Sequence, residues 1–159
     1  MKILYLLRHA KSDWGNLGSS DFDRPLNKRG LKSAPLIGKK IKALKNPPEI
    51  IFSSPAKRAI ETARLVNEQF KKPLLINEVK NFYPGDPEEL LKFLKSIPDK
   101  FNQIMFVGHN PALEEFVELL TGENITLKTA TVVQIALGGK KWEEVEAGEN
   151  KLEKIISYK

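Results

Sequence analysis

Lys2-Ile3-Leu4-Tyr5-Leu6-Leu7-Arg8-His9 opens the chain as a short, almost unbroken apolar run that ends on two ionisable side chains. Such a run, with no polar alternation, predicts a strand buried on both faces. A second run of the same texture, Gln103-Ile104-Met105-Phe106-Val107-Gly108, ends on His109. These are the 2 histidines of a 159-residue chain, and both stand where a buried strand meets its outgoing loop. In a parallel sheet those two positions share the carboxyl edge, where open α/β folds bind ligands.

Working outward, apolar runs alternate with amphipathic segments. Strands are expected at Ile3–Leu7, Glu49–Phe52, Leu74–Ile76 and Ile104–Val107, and helices at Asn27–Leu44, Ala56–Phe70, Pro87–Leu94 and Pro111–Leu120. This alternation predicts an α/β three-layer sandwich, a mostly parallel central sheet with helices on both faces. Asn27 and Asp86 read as N-caps, the latter followed by Pro87 and two glutamates, and Asn110-Pro111 repeats the device after His109. Pro35 removes one helical hydrogen bond, so the first helix is expected to kink or restart there. Beyond Gly122 the texture changes. Thr131–Leu137, a Gly138-Gly139 turn, Lys141–Val145 and Lys154–Tyr158 predict an antiparallel meander closing one sheet edge. Without repeats, low-complexity stretches or linkers, residues 1–159 are expected to form a single domain.

Bulk composition narrows the function classes. A hydrophobic content of 41% with 29% charged residues fits a soluble globular chain. No apolar run approaches the roughly 18 residues that span a bilayer, and Met1-Lys2 leads straight into a strand. No membrane partner is expected, and the cytoplasm is the expected location. The absence of cysteine removes disulfides, thiol catalysis and thiolate metal sites together. A net charge of +6 admits an acidic partner or a nucleic acid. The lysines, however, are spread along helices without an aromatic or arginine stripe, which points to a solvated surface and no nucleic-acid partner. Nothing in the sequence demands a dimer, so a monomer is expected.

Four segments should meet at the carboxyl edge: Arg8-His9-Ala10-Lys11-Ser12, Asp23-Arg24-Pro25-Leu26, Ser53-Ser54-Pro55-Ala56-Lys57-Arg58 and Gly108-His109-Asn110. They pool three arginines, two histidines and several hydroxyls. Guanidinium groups bind phosphate oxygens bidentately, and imidazole serves as nucleophile or proton donor. Arg58 falls on the first turn of its helix, where free N–H groups also face an anion. Each piece alone has an ordinary explanation: a strand-end histidine, a Ser-Pro cap, or an Arg24 paired with Asp21 or Asp23. No dense His/Asp cluster or H-x-x-x-H spacing is present, so neither metal nor cofactor is expected.

In this order the segments resemble the histidine phosphatase superfamily (branch 1, phosphoglycerate mutase-like), and within it the compact SixA-like phosphohistidine phosphatases. The resemblance runs from Ile3 to about Leu120. It is carried by Leu7–Ser12, Asp23–Gly30, Ser53–Ala63 and Val107–Pro111. It implies a phosphoglycerate mutase-like fold and a phosphatase in which His9 takes the phosphoryl group. Arg8, Arg58 and His109 would hold its oxygens, with Arg24 as an additional phosphate contact. The cations around His9 are expected to keep it neutral. The implied substrate is a phosphorylated protein, such as a histidine phosphotransfer-type domain, or alternatively a small phosphorylated metabolite. A non-catalytic phospho-ligand module is a third reading, against which an intact His9 argues.

The pattern departs from many relatives on the leaving-group side. A carboxylic general acid is expected after the third strand, and the one candidate there is Glu78, with a plain surface glutamate as the alternative. Expelling an alkoxide benefits from an acid by about 10²–10⁴-fold. Imidazole leaves readily once its other nitrogen is protonated, so a weak acid tilts the expected substrate toward a phosphorus–nitrogen bond.

Overall fold

The strands are β1 (Lys2–Arg8), β2 (Ile50–Ser53), β3 (Ile76–Glu78), β4 (Gln103–Gly108), β5 (Thr131–Leu137) and β6 (Lys151–Ser157). They form one mixed sheet in the order β3-β2-β4-β1-β5-β6. The computed structural model describes residues 1–14, 18 and 20–159. Strands β1 to β4 pair in parallel, whereas β5 runs antiparallel to both β1 and β6. This is the α/β, phosphoglycerate mutase-like architecture with an antiparallel C-terminal edge.

Four helices, α1 (Lys28–Lys42), α2 (Lys57–Asn67), α3 (Pro87–Lys95) and α4 (Ala112–Thr121), cover the two faces. The period-2 geometry of β1 divides its side chains between them. Ile3, Tyr5 and Leu7 pack with Ile37, Ile41, Ala63 and Val66 of α1 and α2. Leu4 and Leu6 pack with Leu94, Phe116 and Leu120 of α3 and α4. Because both faces are covered, the β1 run needs no polar alternation. Each leucine withdrawn from water there contributes about 2 kcal/mol.

Local chemistry explains the entry to the helices. Asn27 caps α1 by accepting from the Gly30 N–H at 3.0 Å, and Asp86 caps α3 by accepting from Glu89 N–H at 2.9 Å. A Cβ on Gly30 would stand 2.2 Å from the Lys11 carbonyl oxygen, so only glycine lets α1 approach the loop leaving β1. A Ser12–Leu26 bridge and the Asn27 N–H to Lys11 oxygen bond of 3.0 Å tie the same loop down, just after His9.

Several expectations need correction. Helix α1 continues through Pro35 without restarting. The third strand begins two residues late because the Asn67 side chain brackets the Leu74 backbone, donating to its carbonyl at 2.8 Å and accepting from its N–H at 2.7 Å. Asn110 is not a side-chain cap for α4; its amide donates instead to the Leu127 carbonyl at 2.8 Å. Lys141–Val145 is no strand of a meander. Trp142–Glu144 forms a 3-10 turn that buries Trp142, whose indole donates to the Phe101 carbonyl at 3.0 Å. The edge is therefore a two-strand unit. Among the described residues, no helix is long and apolar enough to cross a membrane.

Candidate active site

Arg8 and Gly108 are register partners, so the chain leaves β1 and β4 side by side. The His9 N–H donates to the Gly108 carbonyl at 3.1 Å, and the His9 and His109 rings lie 5.2 Å apart. Strand β2 delivers Ser54 to the same edge through its N–H bond of 2.9 Å to the Val107 carbonyl, and α2 then projects Arg58 from its first turn. A cleft of about 420 Å³ opens there, lined by Arg8, His9, Arg24, Arg58 and His109 together. All five residues singled out from the sequence converge.

The orientation of His9 is set by a backbone carbonyl. Its Nδ1 lies 2.7 Å from the Ala10 oxygen. A carbonyl can only accept, so Nδ1 must carry the proton and Nε2 keeps its lone pair. The Arg58 Nε–H points at that lone pair from 3.4 Å. Burial, with 7% of His9 exposed, is the main force lowering its pKa to about 3. The charges of Arg58, Arg8 and Arg24 add to this, and the Ala10 bond opposes it. Desolvation is thus the largest single cause, ahead of each of the cations that the sequence suggested.

His109 is held in the same way by a different partner. Its Nε2 lies 2.7 Å from Ser54 Oγ, and that hydroxyl oxygen accepts from the Ala56 N–H at 3.2 Å. Burial first, then the neighbouring His9 and Arg58, lower the His109 pKa to about 3. Ser54 is therefore not simply a helix-entry residue. Arg8 donates to the Leu127 carbonyl at 3.0 Å, and burial also lowers its pKa. Among the described residues, the buried side-chain atoms without a hydrogen-bond partner are Arg8 Nε, His109 Nδ1 and Asn110 Oδ1. Unsatisfied buried groups are destabilising, and their concentration in one place marks a functional site.

The outer rim carries residues that no motif flagged. Asp21 pairs with Arg24 at 3.1 Å and with Arg58 at 3.2 Å, and it accepts from the Tyr83 hydroxyl at 2.7 Å. Its main-chain carbonyl also accepts from Arg58 at 2.7 Å. The Tyr83 bond and the two arginines hold the Asp21 carboxyl down at about 2. Arg24 also donates to Ser12 Oγ at 2.9 Å and stacks over the Trp14 ring at 3.6 Å. Asp21 is the carboxylate that lines the cleft among the described residues. Glu78 does not line it; it is exposed at the end of the edge strand β3, opposite Ser53. A Ser-Asp pair ahead of Arg24 was the available signal for the rim, but charge alone did not say whether it faced the site or solvent.

Comparison with known proteins gives a consistent set. The profile of the histidine phosphatase superfamily (branch 1) matches residues 4–82. An uncharacterized chloroplastic protein of Arabidopsis thaliana is 34% identical over 97% of this chain and 77% of its own length. A 2,3-bisphosphoglycerate-dependent phosphoglycerate mutase of Chlamydia abortus is 34% identical over 72% of this chain and 48% of its own. Among solved structures, a protein from Agrobacterium tumefaciens assigned to the phosphohistidine phosphatase SixA superposes with a TM-score of 0.84 at 26% identity, covering 98% and 97% of the two chains. With its two histidines and three arginines gathered at one sheet edge, the chain belongs to branch 1 of the histidine phosphatase superfamily.

Proposed function

We propose that this protein is a metal-independent phosphohistidine phosphatase acting through a phosphorylated His9. The observation that carries the reading is the bare Nε2 of His9, fixed by the Nδ1 bond to Ala10 and faced by Arg58. In the first step Nε2 forms a bond to phosphorus as the bond to the leaving nitrogen breaks, and its electron pair returns to the substrate imidazole. In the second step water adds to phosphorus and Nε2 is released with inorganic phosphate. Arg8, Arg58 and His109 hold the three oxygens, Arg24 supports them from the rim, and these groups supply the charge stabilisation that dominates phosphoryl transfer.

The leaving-group side favours a phosphorus–nitrogen bond. Asp21, held at about 2, is ionised at neutral pH and has no proton to give an ester oxygen. The similarity to a phosphoglycerate mutase supports a second reading, a small phosphomonoester as substrate. Replacing His9 by Ala is expected to lower turnover of both an aryl phosphate and a phosphohistidine protein by about 10⁴-fold or more. Retained turnover in that variant rejects the mechanism. A panel pitting a phosphorylated histidine domain against sugar and nucleotide monophosphates separates the two substrates, and preference for the esters transfers the assignment to the second.

A further inference from the structure

Beside the catalytic cleft lies a second concavity of about 250 Å³ lined by the exposed cations Lys11, Arg29 and Lys128. We propose that it holds a carboxylate displayed by the phosphorylated protein next to its phosphohistidine. The proposal rests on the phosphohistidine reading above.

Charge and connection carry the argument. No acidic side chain lines this concavity. Among the described residues, the salt bridges seen join Asp21 to Arg24 and Arg58, and none of them engages Lys11, Arg29 or Lys128. The cations come from separate segments: the loop leaving β1, the first turn of α1 and the loop entering β5. Arg29 occupies a helix N-terminal turn, where the helix dipole disfavours a cation. An arrangement that local electrostatics oppose is expected where function requires it. The floor is polar, with the buried hydroxyl residues Ser33 and Thr131 in the lining.

Lys11 and Thr129 line both this concavity and the catalytic cleft, so the two adjoin. This places the concavity within reach of a molecule whose phosphoryl group stands over His9. The chemistry of the pocket, cations over hydroxyls with no acidic side chain and with the Lys159 main-chain oxygen held by Lys40, selects an anion. A protein that presents phosphohistidine on a helix or loop brings its neighbouring side chains to this shoulder at the same time.

The test compares wild type with an Arg29→Gln, Lys128→Gln double variant, which leaves the catalytic cleft intact. Three substrates are used: para-nitrophenyl phosphate, a phosphohistidine peptide with glutamates flanking the histidine, and the same peptide with glutamines. Wild type is expected to favour the glutamate peptide in kcat/KM by roughly tenfold, the effect of two or three partly exposed ion pairs. The double variant should lose that preference, raised salt should shrink it in wild type, and aryl phosphate turnover should be unchanged in both proteins. Equal turnover of the two peptides by wild type, or a preference that survives in the double variant, overturns the carboxylate site while leaving the phosphatase reading intact. Turnover of the aryl ester with neither peptide dephosphorylated overturns the phosphohistidine reading and this inference with it. A small bis-anionic ester preferred over both peptides, and dependent on Arg29 and Lys128, overturns the protein-borne carboxylate in favour of a metabolite.

Discussion

At the floor of the cleft, His9 and His109 stand just past the ends of two paired parallel strands, more than nine-tenths buried, each with one ring nitrogen fixed by a hydrogen bond. At the rim, Asp21, with 52% of its side chain exposed, and Arg24 stand on the loop before α1 and hold each other through ion pairs. The floor is ordered by the sheet and by burial, which leaves its groups little freedom. The rim is ordered by charge pairs in contact with solvent, which salt and ligand can exchange. The difference teaches that the floor, which the proposed mechanism makes the attacking side, is preorganised by the fold, whereas the rim can adjust to what is bound.

Arg58 bridges the two regions and so tests the contrast most severely. Arg58→Ala is expected to lower kcat/KM about 10³-fold, and Arg58→Lys to recover little, because an ammonium cannot reproduce the planar fork. A loss below tenfold would mean that the floor does not depend on it.

The next effect is on stability. Both floor histidines are held neutral, with pKa values pushed from 6.5 to about 3 by burial and cationic neighbours. The folded state therefore binds these protons more weakly than the unfolded chain. Stability is at its plateau above the ordinary value of 6.5 and is lost as pH falls from there toward 3. By pH 5 each histidine should remove about 2 kcal/mol, read as a falling denaturation midpoint. His109→Asn should make that decline shallower. A decline of the same steepness in this variant would break the claim that the floor is a desolvated unit.

Ser54 sharpens the comparison from within the floor. Ser54→Ala removes the partner of His109 Nε2 and should lower kcat about tenfold with KM nearly unchanged, the loss of one buried hydrogen bond. Ser54→Thr should restore part of it. The smallest effect is expected at the rim. Asp21→Asn frees Arg24 and Arg58 from an ionised partner and should tighten inhibition by inorganic phosphate about threefold, with kcat little changed. A loss as large as that of Arg58→Ala would place Asp21 with the floor and erase the distinction.

Much of this was legible in the residues. The two apolar runs ending on Arg8-His9 and His109 located both the parallel strands and the edge at which the candidate site lies. Residues whose structure follows from local pattern, such as the Asn27 and Asp86 caps, stand where expected. Failures arose where a tertiary partner outweighed the local signal. Asn110 turned toward Leu127 rather than its own helix, Trp142 left a strand-like run for the core, and the Asn67 amide displaced the start of β3.

By itself, then, the sequence determined the alternation of strands and helices through α4 and singled out His9, Arg8, Arg58, His109 and Arg24, which the fold brings to one edge. Periodicity and apolar content act through near neighbours, and a chain records near neighbours directly. Only the tertiary structure decided which nitrogen of His9 is bare, that Ser54 holds His109, that Asp21 rather than Glu78 lines the cleft and that Lys11, Arg29 and Lys128 share a second concavity. Those are contacts between segments far apart in the chain, set by how strands and helices pack, and no local pattern encodes them.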